Sequence, residues 1–209
     1  IMPYFSVKEL SLGGTIAKHF QKYWVTFRSK RKWCVPKDFP SLSEAVRVGQ
    51  ILLERGIISS TNEYLLKIML SNGVYDEGGA TIDILYPVSI IGESQDGCTI
   101  VGGLRIEGEE GDNVYIKDLT LRNSTFNGVL GYNGATIHLD NLNIENSGGN
   151  GVGVIGTKYN TMKNCQVSHS KFHGLIVNDG LMTISGNATT IHHNNNIAFD
   201  ANGYGNCGL

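Results

Sequence analysis

Four of the six histidines fall late in the chain, at His169, His173, His192 and His193. An imidazole near a carboxylate can move a proton or hold a metal ion at neutral pH. The acids closest to them are Asp179 and Asp200. His173, His192, Asp179 and Asp200 are therefore the candidate catalytic residues, with His173 and His192 expected to face solvent. A second set is spaced for binding. Arg122 and Glu145 lie 23 residues apart, as do Asn143 and Gln166, and His192 follows Glu145 at about twice that step. Arg122, Glu145, Asn143, Gln166 and His192 are the candidate binding residues, and Arg122 with Glu145 is expected to form a surface ion pair worth under about 1 kcal/mol.

Cys34, Cys98, Cys165 and Cys207 show no CxxC spacing, so neither a zinc site nor any other cofactor is expected. Their wide separation points to free thiols in a reducing, intracellular compartment. Asp179-Gly180 and Asn202-Gly203 read as turns. Asn123-Ser-Thr and Asn187-Ala-Thr match the glycosylation pattern.

What positions these residues is a repeat. Leu119-Thr-Leu121-Arg-Asn123-Ser124 aligns with Leu142-Asn-Ile144-Glu-Asn146-Ser147. Cys165-Gln-Val167-Ser-His169-Ser170 and Thr189-Thr-Ile191-His-His193-Asn194 follow in the same register, at steps of 23, 23 and 24 residues. Leu121, Ile144, Val167 and Ile191 make one column, and Leu119, Leu142, Cys165 and Thr189 a second. By alternation both point inward. The same parity assigns Asn123, Asn146, His169 and His193 to an inward ladder at the coil turn, which argues against glycosylation at Asn123. Outward ridges run through Thr120, Asn143, Gln166 and Thr190, and through Arg122, Glu145, Ser168 and His192.

A period of this length with short strands is a solenoid coil, whose apolar stripe is buried only by stacking on its neighbours. Second strands begin at Gly128, Gly151 and Gly174, and less cleanly at Ile197-Ala198-Phe199. Third strands lie at Ala135 to Leu139 and around Met182-Thr-Ile184. Tyr159 to Met162 matches poorly, so an irregular coil is expected there. Extending the period back to Ile82 predicts an all-β, single-stranded right-handed parallel β-helix of roughly 5–6 coils of about 23 residues.

Ahead of the coils, Ser41 with Glu44 forms a capping box for a helix over residues 42–53, ended by Gly56. Residues 57–63 read as a loop. Phe20, Tyr23, Trp24 and Phe27 carry helical spacing further upstream. Residues 1–40 hold eight Lys and Arg against two acids, which leaves nine bases and seventeen acids for the remainder. The reading is a basic N-terminal segment over 1–34, the remnant of a preceding domain, followed by the β-helix over 35–209. The basic segment is expected to be a solvated flank packed against the acidic body, which disfavours nucleic acid as a partner. No apolar run reaches the roughly 18 residues of a membrane span. The start at Ile1 and the stop in a Gly/Asn stretch suggest a fragment.

The block from Val35 to Asn123 resembles the opening of pectin-lyase-like β-helix proteins. The matching residues are Asp38-Phe-Pro-Ser-Leu-Ser-Glu-Ala-Val, Lys67-Ile-Met-Leu-Ser-Asn-Gly-Val-Tyr-Asp-Glu, Val88-Ser-Ile-Ile-Gly-Glu-Ser, Cys98-Thr-Ile-Val-Gly-Gly and Ile116-Lys-Asp-Leu-Thr-Leu-Arg-Asn. The resemblance implies that the helix at 42–53 caps the N-terminal end of the solenoid. It does not carry an activity, since one fold hosts many. The Gly-Asp-Phe-Ile-Phe-Gly context of pectin methylesterases, the Asp-Pro-His motif of alginate epimerases and the acidic calcium cluster of pectate lyases are missing. The favoured reading is a non-catalytic recognition or scaffold module for a protein or polysaccharide, by analogy with the β-helix repeats of F-box receptors. The other readings are a lyase, hydrolase or epimerase acting on uronic-acid polymers, and a structural fibre or capsid-type solenoid.

Overall fold

The computed structural model describes residues 32–56 and 65–195. The expectations for Phe20 to Phe27, for residues 57–63, for Ile197 to Phe199, for Asp200 and for Asn202-Gly203 lie outside the described residues.

The chain winds into a parallel β-solenoid of about six turns with about 23 residues per turn. Three parallel sheets form its walls. Sheet I contains β1 (Lys32–Val35), β2 (Leu66–Leu70), β4 (Val88–Gly92), the first halves of β6 (Asn113–Arg122) and β8 (Thr136–Glu145), then β10 (Asn160–Lys163) and β13 (Met182–Ser185). Sheet II begins with the first half of β3 (Gly73–Ile84) and that of β5 (Cys98–Glu107). It continues through the second halves of β6 and β8 to β11 (Gln166–Ser168) and β14 (Thr190–His192). Sheet III runs from the second halves of β3 and β5 through β7 (Val129–Tyr132) and β9 (Val152–Ile155) to β12 (Leu175–Asn178). The first sheet thus takes in Lys32, Trp33 and Cys34, ahead of residue 35.

Aliphatic columns fill the interior. Ile68, Ile90, Ile116, Leu139 and Met162 stack on sheet I, each in register with the next and almost fully buried. Ile100, Leu121, Ile144 and Val167 do the same on sheet II, and Ile82, Leu104, Val129 and Val152 on sheet III. Each buried side chain contributes roughly 1.5–3 kcal/mol of transfer free energy. No coil can collect that alone, so the columns hold the coils in register.

Helix α1 (Leu42–Glu54) covers the N-terminal end, as the resemblance implies. Its Ser41 hydroxyl accepts the Glu44 N–H at 3.1 Å, and its buried face packs on β1 and β2, the first two strands of sheet I, and on β3, which opens sheets II and III. Gly49 lets Tyr86 lie against the helix, where its hydroxyl donates to the Val46 carbonyl at 2.9 Å.

Two expectations are corrected. Tyr159 to Met162 does not make an irregular coil: β10 pairs in register with β8 and β13. The misfit residue, Asn160, is fully buried in an otherwise aliphatic column and replaces apolar contact with hydrogen bonds. Its Nδ2 donates to the Thr157 carbonyl and hydroxyl and to the Leu181 carbonyl, and its Oδ1 accepts the Ile137 N–H at 2.9 Å. Asn123, Asn146, His169 and His193 do not point inward either. All four are exposed, with φ between 52° and 55°. Strict alternation holds only for extended backbone. One left-handed residue at each corner reverses the parity, so the following Ser124, Ser147 and Ser170 are the buried ones. The buried-ladder argument against glycosylation at Asn123 therefore fails.

A polar ladder does exist, four residues further on. Asn127 Oδ1 accepts the Asn150 N–H at 2.8 Å, and Asn150 Oδ1 accepts the His173 N–H at 3.0 Å. Each amide thus satisfies a loop N–H one coil away.

Candidate functional site

The outer face of sheet II carries the predicted binding residues. Its two ridges are in register as expected: Thr120 with Asn143, Gln166 and Thr190, and Arg122 with Glu145, Ser168 and His192. The strands are about 4.8 Å apart, so the ridges present one polar group per coil at that repeat. Thr120 is buried, its hydroxyl donating to the Gln95 carbonyl at 3.0 Å. Arg122, Asn143 and Glu145 are half-buried, and Gln166 and His192 are exposed.

The Arg122–Glu145 ion pair is not formed. The Glu145 carboxylate is engaged along its own strand, accepting Asn143 Nδ2 at 3.5 Å, because residues two apart in a strand share a face. Arg122 Nε is buried and has no hydrogen-bond partner among the described residues. A buried donor without a partner is a cost that few native side chains carry.

Among the described residues, no hydrogen bond or ion pair joins His173, His192 and Asp179. His173 is not solvent-facing: its ring lies over the loop ladder, with Nδ1 3.0 Å from Asn150 Oδ1, and its Nε2 is buried. Asp179 sits alone at an exposed corner with φ 49°. His192 is exposed, with Nδ1 2.6 Å from His193 Nδ1, and His169 stacks on His193 at 5.5 Å between ring centroids. Among the described residues no group of three or more His, Cys, Asp or Glu is placed to hold a metal ion. Cys34, Cys98 and Cys165 are free thiols, and burial pushes the Cys165 thiol up to about 11.

Two clusters escaped the sequence reading. On sheet III, Arg105 binds Asp83 through two hydrogen bonds of 2.6 and 2.7 Å, and Glu107 accepts from the Tyr132 hydroxyl and from Asn133. The Tyr132 and Asn133 hydrogen bonds hold the Glu107 carboxyl below its ordinary range. On sheet I, Tyr115 stacks on His138 at 4.4 Å, and Lys117 pairs with Asp140 at 3.1 Å. The hydrogen bond to Asp140 raises the Lys117 ammonium, and burial lowers the His138 imidazole. The signal was a 23-residue step, Tyr115 to His138 to Thr161. Unlike residue types hid it, because no column of similar side chains marks it.

Residues 102–207, about half of the chain, match the family model described as the right-handed β-helix region. The chain belongs to this family, in agreement with the register of its coils. No curated protein and no solved structure matches it.

Proposed function

We propose that the outer face of sheet II is a recognition surface for an elongated partner, a protein segment or a polysaccharide, bound without turnover at that face. The observation that carries this reading is the unused hydrogen-bonding capacity of ridges held in coil register. The half-buried Arg122 side chain has no hydrogen-bond or ion-pair partner among the described residues, and Glu145 makes a single long contact to Asn143. An extended ligand can meet such groups coil by coil, and each charge-assisted bond gained contributes roughly 1.5–3 kcal/mol. The dispersed candidate acids and bases give no support to turnover by His173, His192 and Asp179.

The test is binding of the full chain to a glycan array and to immobilised proteins, followed by titration calorimetry on any hit. Arg122→Ala and Glu145→Ala should each weaken binding about tenfold or more, while Arg105→Ala on sheet III should leave it unchanged. Release of product from uronic-acid polymers at catalytic protein levels, lost with the same two substitutions, would overturn this reading.

A further inference from the structure

Sheet I holds a hydrogen-bonded row that recognition by sheet II does not use. The three residues come from successive coils. Thr161 Oγ1 lies 2.9 Å from His138 Nδ1, and His138 Nε2 lies 2.9 Å from Asn113 Oδ1. The direction of these bonds follows from the far end. Asn113 Nδ2 donates to the Gly111 carbonyl at 3.0 Å, so its Oδ1 faces the imidazole and can only accept. Nε2 therefore carries the ring proton. Nδ1 keeps its lone pair, and the Thr161 hydroxyl must donate to it. A hydroxyl aimed at a neutral imidazole, itself oriented by a third side chain, is the arrangement that activates an oxygen nucleophile.

We propose that Thr161 and His138, positioned by Asn113, form a nucleophilic site that cleaves carboxylic esters. The surroundings fit the chemistry. Tyr115 stacks on His138 from the preceding coil and holds the ring plane. Burial favours the neutral imidazole, the form that can accept a proton. The charged groups facing the row are few: Lys117 is paired with Asp140 one column away, and Lys163 follows Thr161 on the same face, exposed, in register with Asp140 but forming no ion pair with it or with any other described residue. Lys163 is the cation available to a developing oxyanion.

Thr161 Oγ1 adds to the acyl carbon while its proton passes to His138 Nδ1. The adduct collapses, the departing alkoxide takes that proton, and Thr161 is left acylated. Water then adds to the acyl carbon and gives a proton to Nδ1. Collapse returns that proton to Oγ1 and releases the carboxylic acid.

The test treats the full chain with p-nitrophenyl acetate and with a fluorophosphonate probe, and locates adducts by peptide mass spectrometry. Thr161 should be labelled, with the neighbouring Thr183 as an internal control. Thr161→Ser should keep labelling, Thr161→Val should abolish it, and His138→Gln should slow it about a hundredfold. Asn113→Asp should retain labelling and move its pH profile upward, because a carboxylate beside the ring favours imidazolium; a purely structural role for Asn113 would leave the profile in place. Circular dichroism and urea midpoints establish that each variant is folded. The proposal is overturned if Thr161 is labelled no faster than Thr183, or equally fast in folded His138→Gln.

Discussion

At the scale of single residues, stability here depends on polar groups that have been given partners. Asn160 is the sharpest case. Its amide satisfies the Ile137 N–H and the carbonyls of Thr157 and Leu181 inside the core. Asn160→Leu would restore the aliphatic column but orphan the Ile137 N–H, at roughly 1–3 kcal/mol, while the Thr157 and Leu181 carbonyls keep the backbone N–H groups of Leu181 and residue 160. The expected net loss is about 1–3 kcal/mol in urea unfolding, and an equal or higher midpoint would refute this account. A second residue links stability to pH. Burial holds the His138 imidazole below 6.5, the ordinary value to which it returns on unfolding. Between those two values the unfolded chain binds the extra proton, so stability is full above about pH 6.5 and declines as pH falls through the window. Urea midpoints measured from pH 7.5 down to 5 should show this slope, and folded His138→Gln should flatten it.

At the scale of elements, the strands were legible because their signal repeats. The 23-residue columns at Leu121, Ile144, Val167 and Ile191 are the register the sheets adopt, and Ser41 with Glu44 marked the start of α1. The corners were not legible. A single left-handed residue at Asn123, Asn146, His169 and His193 reversed the alternation, turning an expected inward ladder into an exposed one. The real ladder was announced by residues preceding glycine, Asn127-Gly128, Asn150-Gly151 and His173-Gly174, at the same step. Contacts between unlike residues on adjacent coils, such as Asn113, His138 and Thr161, are set by register and side-chain reach together. Helix α1 offers a test whose sign discriminates. Gly→Ala inside a helix ordinarily stabilises by about 1 kcal/mol. At Gly49 a Cβ would overlap the Tyr86 hydroxyl, which is bonded to Val46, so Gly49→Ala should instead destabilise by roughly 1–3 kcal/mol. In a Tyr86→Leu background the loss should shrink, as a double-mutant cycle would measure.

At the scale of the whole molecule, a solenoid is held by nearest-neighbour contacts between coils, so protection need not be uniform along it. The middle coils have partners on both sides: β6 pairs with strands of the coils before and after, and so does β8. Leu121, Leu139 and Ile144, which they contribute, are almost wholly buried. The last described coils differ. Among the described residues β12, β13 and β14 are each paired on one side only. Their inward-facing Val177 and Ile184 are each 38% exposed. Less apolar area is withdrawn from water at these two side chains. Opening should therefore begin at β12–β14 and move toward β6, with the α1-covered end holding longer. Hydrogen exchange read by mass spectrometry at neutral pH should show amides of Val177, Ile184 and Ile191 exchanging at least about tenfold faster than those of Leu121 and Ile144, a gap of ~1.4 kcal/mol in opening free energy. Equal protection from β4 through β14 would mean that the coils open as one cooperative unit and that the nearest-neighbour picture is wrong for this chain.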